Sequence, residues 1–338
     1  MSTEPNAPPT PQLLVDVALS YQKTAALKAA VELKVFDAIG AGATSLEALA
    51  ARVGAAPRGV RILCDFLTVV GFLEKTGTEY RQTPSTAKFL NSSSPASMLS
   101  TVRFLAGPEF LGLFLDDPAS YVRHGGTEGL ANMTADDPIW VTFARTMVPF
   151  TGAAAEATAA HVATSHVVPR KVLDIAAGGG TFGIAIARKF AEATVVAVDW
   201  RDVLAVAREN ADRANLGSRY RTLVGDAFSV DWGSDYDLVL LPNILHHFDH
   251  PTCVTLLTRV RKSLAPGGRT LVIEFVPNAD RVSPPIPAMF AFMMLGTTQR
   301  GDAFTLAEYT AMARDAGYRS ATIAPLPPSP ESLIEFHM

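Results

Sequence analysis

Apolar residues recur at three- and four-residue spacing through LLVDVALSYQKTAALKAAVELKVFDAIG (13–40), which predicts helical structure ending at Gly40. The next stretch, TSLEALAARVGAAPRGVRILCDFLTVVGFLEK, starts a short helix for which Thr44 is the expected cap, with Glu47 completing a capping box. A turn at VGAAP follows, then a second helix from about Arg58 to Val70. GFLEKTGTEYRQT reads as a small hairpin around a glycine turn. Helix, short helix, turn, helix and hairpin make a winged-helix arrangement. From 100 to 165 the pattern stays helical with irregular joints, and Trp140, Phe143, Met147 and Phe150 share one helical face. Such a stripe is either core packing or the wall of an apolar pocket.

The pattern changes at Pro169. RKVLDIAAGGGTFGIAIARKF gives a buried strand, an acid, a glycine cluster and a helix; EATVVAVDW is a second strand, and RDVLAVARENADRANL a helix. RYRTLVGDAF and YDLVLLPNILHHF supply strands three and four. CVTLLTRVRKSLAPGG reads as a helix capped by its two glycines, and RTLVIEFV as strand five. Continuous apolar strands alternating with helices predict an α/β fold with a parallel, doubly wound, Rossmann-like sheet. The expected domains are a winged helix over 12–98, a helical linker and pocket region over 99–165, and the α/β domain over 166–338.

Composition adds limits. The chain has 338 residues, enough for two cores; 48% are hydrophobic and 18% charged. The balance of 33 acidic against 29 basic residues, net −4, offers no general attraction for nucleic acid or anionic membrane. The helix that would read DNA, RGVRILCDFLTVVGF, presents Arg58 and Arg61 but also Asp65, and is otherwise apolar, so packing against a partner chain or second domain suits it better. No run is apolar enough to span a membrane, and MSTEPNAPPTPQ lacks a signal pattern, which leaves a cytoplasmic protein as the expectation. Cys64 and Cys253, far apart in apolar helical settings, read as core thiols.

In doubly wound sheets ligands bind outside the carboxyl ends of the strands. Gly178, Gly179 and Gly180 let backbone approach a ligand and turn into the next helix. Asp199 can accept both hydroxyls of a ribose, as in NAD proteins and S-adenosylmethionine (SAM) proteins alike. Two details favour SAM. DIAAGGG is not G-x-G-x-x-G, and its Asp174 suits a cationic methionyl end but would repel a pyrophosphate. GDAF supplies Asp226 for an adenine amino group, with Ala227 and Phe228 beside it, and Trp200 could flank the adenine from the other side; a plain turn cap is the alternative for Asp226. LLPNILHHFDH (240–250) holds three of the seven histidines. His246 and His250 would share a face in a helix, but the Phe-Asp pair between them argues for a turn, and no cysteine or acidic cluster completes a metal site. Asp249 reads as the cap of the following helix.

TSLEALAARVG, LDIAAGGGTFG, VAVDW, VGDAF, LPNILHHFDH and LAPGG together resemble the bacterial and plant small-molecule methyltransferases that join a winged-helix dimerisation domain to a class I SAM-binding domain. The likeness runs from about residue 12 to the end. It implies a homodimer, SAM as methyl donor, and methylation of a small, aromatic or polyketide-like hydroxyl; C-methylation and a non-catalytic regulator are the alternatives. Transferred to this chain, the SAM contacts are Asp174, Ala176, Gly178, Gly180, Asp199, Trp200, Asp226, Ala227 and Phe228, and the general base is His246. Phe143 and Met147 fall in the family's substrate-wall positions; separately, the apolar residues Phe290, Phe292, Met293, Met294 and Leu295 suggest a greasy acceptor held by packing, with helix core as the alternative. The chain departs from the family at Ala176, where the first loop glycine is usual, at His247, where the family has Asp, and at Ala291 and Ala303, where acids that support the base are common. Glu274, ending strand five, is a candidate substitute carboxylate. An ordinary imidazole is largely neutral at pH 7, which suits it to take a phenolic proton.

Overall fold

The structure, a computed structural model, describes residues 9–128, 137–165 and 168–338. Two units make up the chain, divided between Leu111 and Gly112. In the first, α1 (Gln12–Ala18), α2 (Tyr21–Glu32) and α3 (Val35–Gly40) precede α4 (Leu46–Val53) and α5 (Pro57–Val69). The hairpin β1 (Leu73–Thr76) and β2 (Glu79–Gln82) follows, then α6 (Pro84–Phe89), α7 (Leu99–Leu105) and α8 (Pro108–Leu115), within which the unit boundary falls. The long apolar run 13–40 is broken between α2 and α3 by Lys34, which is left-handed at φ 56°. Phe36, Leu49, Leu67 and Tyr80 are fully buried in this unit's core. Asp65 on α5 accepts hydrogen bonds from Lys75 and Tyr80 of the hairpin and from Arg61. Of the two arginines that a DNA-reading helix would present, Arg61 is thus already paired.

One capping assignment is corrected. Ser45, not Thr44, caps α4, accepting the Ala48 N–H at 3.2 Å. The Thr44 carbonyl is drawn instead to the N–H of Tyr80 on the hairpin, which moves the cap one residue on and leaves Glu47 too early for a capping box.

The second unit runs α9 (Pro118–His124), α10 (Pro138–Val162), β3 (Lys171–Ile175), α11 (Thr181–Lys189), β4 (Thr194–Asp199), α12 (Arg201–Arg213), β5 (Tyr220–Val224) and β6 (Tyr236–Pro242). It continues with α13 (His250–Ser263), β7 (Leu264–Glu274), α14 (Pro285–Thr297), α15 (Leu306–Asp315), β8 (Ser320–Pro325) and β9 (Ser332–His337). The sheet has seven strands in the order β5-β4-β3-β6-β7-β9-β8. The five expected strands pair in parallel; β9, antiparallel to β7, and β8 add an edge that the sequence reading did not assign.

Alternation along the buried strands feeds two cores. Val172, Leu238 and Leu240 face the layer of α10, α11 and α12, while Leu173, Val239 and Leu241 face α13 and α15. Each fully buried aliphatic side chain contributes about 1.5–3 kcal/mol. Strand order reverses direction at the β3–β6 pair, so the crevice for a ligand opens beyond the carboxyl ends of those strands.

The LAPGG segment also differs from expectation. α13 ends at Ser263, Leu264 is already extended, and the glycines lie within β7. A Cβ on Gly268 would stand 2.5 Å from the Tyr236 carbonyl, so the glycine serves close strand approach rather than a helix cap. Cys64 and Cys253 are buried free thiols, and burial pushes Cys253 up to about 12.

Candidate active site

Four strand ends carry the site. Beyond β3 the chain passes through Ala176 at φ 54°, Gly178 at 55° and Gly180 at 78°, the left-handed region that glycine adopts freely and that an alanine adopts only at a cost. Each glycine has a separate reason. A Cβ on Gly180 would come within 2.5 Å of the Tyr220 hydroxyl, and one on Gly179 would collide with Val148 of α10; Gly178 faces open space. Asn210 of α12 holds the loop by donating to the Gly179 carbonyl at 2.9 Å.

Two aspartates organise the loop's backbone. Asp199, ending β4, accepts the N–H of Gly178 at 2.8 Å and that of Trp200 at 2.7 Å. Asp174 is fully buried and accepts the N–H of Gly183 at 3.0 Å, pinning the first turn of α11 to β3. Burial pushes Asp174 up to about 7 and Asp199 up to about 6. Asp174 Oδ1 and the Tyr220 hydroxyl are buried with no hydrogen-bond partner among the described residues.

Beyond β6 the turn Leu245–His247 places His246 at 5% exposure. Glu274, ending the adjacent strand β7, is fully buried beneath it. One of its oxygens accepts the backbone N–H groups of Leu245 (3.0 Å) and His246 (3.3 Å); the other lies 2.6 Å from His246 Nδ1. With a carboxylate on Nδ1, that nitrogen carries the proton and donates, which leaves Nε2 as the basic lone pair. Nε2 has no hydrogen-bond partner among the described residues. The His246 carbonyl accepts the Asp302 N–H at 3.0 Å, and Gly301 lies so close that a Cβ there would clash with it. Phe290 of α14 sets its ring edge-on to His246 at 4.9 Å and stacks on Phe275 at 4.2 Å. His247 packs against His246, and burial, with the neighbouring His246 adding, holds its imidazole well below the usual histidine range.

With this geometry in view, comparison with known proteins is decisive. A model of the O-methyltransferase domain matches residues 120–319, and one of the O-methyltransferase dimerisation domain matches residues 15–92. The chain belongs to the O-methyltransferase family. Mouse acetylserotonin O-methyltransferase is 31% identical, over 90% of this chain and 83% of its own. The 3-hydroxy-5-methyl-1-naphthoate 3-O-methyltransferase of Streptomyces sahachiroi is 30% identical, over 91% and 89%. A proposed O-methyltransferase from Nostoc punctiforme has a crystal structure that superposes with TM-score 0.91 at 42% identity, over 98% of this chain and 100% of the other. The expected class, a SAM-dependent methyltransferase with a dimerisation domain, is thereby met.

The residues present fit SAM. A loop with open space at Gly178, the buried Asp174 and the half-buried Asp199 against it, and orphaned polar atoms behind it suit a ligand with cationic and hydroxyl groups. Of the residues expected to hold it, Asp174, Ala176, Gly178, Gly180, Asp199 and Trp200 converge on the β3–β4 ends. Asp226 is exposed and accepts the Phe228 N–H at 2.7 Å, so one oxygen is spent capping its own turn. Phe228 sets its ring at right angles to Phe248, 5.0 Å away, and joins Ala227 against the core.

Among the expected acceptor-wall residues, Phe290 is brought to His246 and Met294 is buried one turn further along α14. Phe143 and Met147 are half-buried on α10, the helix whose Val148 covers Gly179. His250 belongs to α13 and pairs with Asp315 at 2.9 Å, while Asp249 caps that helix through Thr252. No group of three potential metal ligands gathers among the described residues, and no helix there is long and apolar enough to cross a membrane. The sequence left Glu274 unplaced relative to His246. The signal was its position at the end of the strand beside β6, which only sheet order makes readable.

Proposed function

We propose that the chain O-methylates a small phenolic or polyketide-type hydroxyl, with His246 as general base. The observation that carries this reading is the Glu274 carboxylate 2.6 Å from His246 Nδ1, which fixes the tautomer and leaves Nε2 as the nitrogen able to take a proton. When bound, SAM would be held by the Gly178 loop and Asp199 and would supply an electrophilic methyl whose sulfonium needs no acid to leave. Nε2 of His246 takes the hydroxyl proton as the oxygen becomes nucleophilic, and Glu274 stabilises the imidazolium without itself accepting the proton. Phe290 and Met294 hold the acceptor's apolar body so that its oxygen lies in line with the methyl. Ala291 and Ala303 leave Glu274 as the carboxylate that supports the base. Relatives whose names specify an acceptor, a naphthoate among them, carry O-directed activities, which favours oxygen over carbon here.

The N-terminal unit is read as a homodimerisation module, since α1 exposes Leu13 and Leu14 at 72% each. The decisive assay supplies SAM with a carbon-13 methyl and offers N-acetylserotonin and 3-hydroxy-5-methyl-1-naphthoate as probes of the hydroxyaryl class. The reading predicts a labelled methoxy group on a hydroxyaryl acceptor. Label on a ring carbon, or none on any hydroxyaryl compound in an extended panel, contradicts it.

A further inference from the structure

Glu331 is a second buried carboxyl beside the His246 turn, 2% exposed, at the entry to β9. The base mechanism above does not use it. Its oxygens accept from the side-chain amide of Asn243 at 2.6 Å and from the Ser329 hydroxyl at 2.8 Å. Asn243 is the residue that turns the chain from β6 toward His246. It does so in the left-handed region, at φ 54°, with its N–H on the Ile273 carbonyl at 2.9 Å. The register of the sheet makes the arrangement symmetrical: Glu274 pairs with Ser332, so Glu274 and Glu331 stand on neighbouring strands at the same end of the sheet. Glu274 grips the far end of the turn, at residues 245 and 246, and Glu331 grips the near end, at 243.

We propose that Glu331 is a positioning residue for methyl transfer: through Asn243 it fixes the turn that presents His246, so that the Nδ1–Glu274 bond and the aim of Nε2 are held together. Burying a carboxyl is unfavourable unless its hydrogen bonds are made, and an apolar residue would close the end of β9 as well. The carboxyl supplies an acceptor that can reach the Asn243 amide. A misdirected base loses rate steeply, since small displacements of a catalytic group suffice to cost an order of magnitude or more.

The inference rests on His246 being the base, and the experiment separates the two. The variants are Glu331→Ala, Glu331→Gln, whose amide oxygen can still accept from Asn243, and the exchanged pair Asn243→Asp with Glu331→Gln, which reverses donor and acceptor. Turnover on whichever hydroxyaryl probe is methylated is normalised to SAM-binding sites counted by titration, so that loss of folded protein drops out. The expected result for Glu331→Ala is a fall in kcat of about tenfold or more, with the KM for SAM unchanged. Glu331→Gln and the exchanged pair recover most of that turnover.

Independently of any acceptor, proton NMR follows the hydrogen-bonded imidazole Nδ1–H, assigned by its disappearance in His246→Gln. It broadens in Glu331→Ala and sharpens again in the exchanged pair. Unchanged normalised turnover and an unchanged Nδ1–H resonance in Glu331→Ala overturn the inference, as does a Gln variant as impaired as the Ala variant. If His246→Ala itself keeps full turnover, the base assignment fails, whatever Glu331 does.

Discussion

At the scale of single residues, the loop after β3 carries two measurable tensions. Ala176 holds φ 54° where the family usually has glycine, a conformation that costs an L-residue about 1–2 kcal/mol. Ala176→Gly should therefore stabilise the protein by about 0.5–1 kcal/mol after the unfolded-state entropy of glycine is counted, seen as a higher urea midpoint at unchanged m. Asp174 supplies the second. The unfolded chain releases this proton near 3.8, the folded one not until about 7, so the folded state binds more protons in between. Its contribution to stability is fully present below about pH 4 and is lost as pH rises toward 7. Asp174→Asn keeps an oxygen for the Gly183 N–H and should flatten that decline. Urea midpoints at pH 5 and pH 8 that fall equally in both proteins would remove the assignment.

Among the elements, what matters is which strand ends meet. The sequence made the strand–glycine–helix unit, both loop aspartates and the histidine legible, because each sits at a transition between apolar period and polar loop. It offered Glu274 as a candidate carboxylate but could not place it, since β6 and β7 are separated by a whole helix and only their pairing brings Glu274 under His246. β8 and β9 escaped for a related reason: β8 (SATIAP) is a short outer strand and β9 follows the proline-rich PPSPE, so only their pairing with each other and with β7 marks them as sheet. LAPGG misled because glycines after a helix usually mark its end, whereas here they admit the Tyr236 carbonyl. The same packing logic predicts a contrast within the glycine cluster. Gly180→Ala must displace the Tyr220 hydroxyl in a left-handed backbone and should cost about 2–4 kcal/mol of stability. Gly178→Ala, with open space around it, should cost only about 1–2 kcal/mol but weaken SAM binding at least about tenfold. Calorimetric titration beside urea unfolding reads both; equal effects in the two variants would mean the loop does not face the ligand.

The whole molecule joins a winged-helix unit matched by a dimerisation-domain model to an α/β unit matched by a methyltransferase model. If the exposed apolar side chains of α1 serve self-association, as proposed, light scattering at micromolar concentration should report a dimer. Leu14→Glu with Val17→Glu should shift it toward monomer; a wild-type monomer would refute the assignment. The central claim concerns the second unit: a SAM-dependent methyl transfer in which His246, oriented by Glu274, removes the acceptor proton. His246→Ala tests it most directly, with turnover and SAM affinity measured on the same preparation. The account predicts a kcat lower by about 10²–10⁴-fold with the SAM dissociation constant changed by less than about twofold. Wild-type turnover in that variant would contradict it.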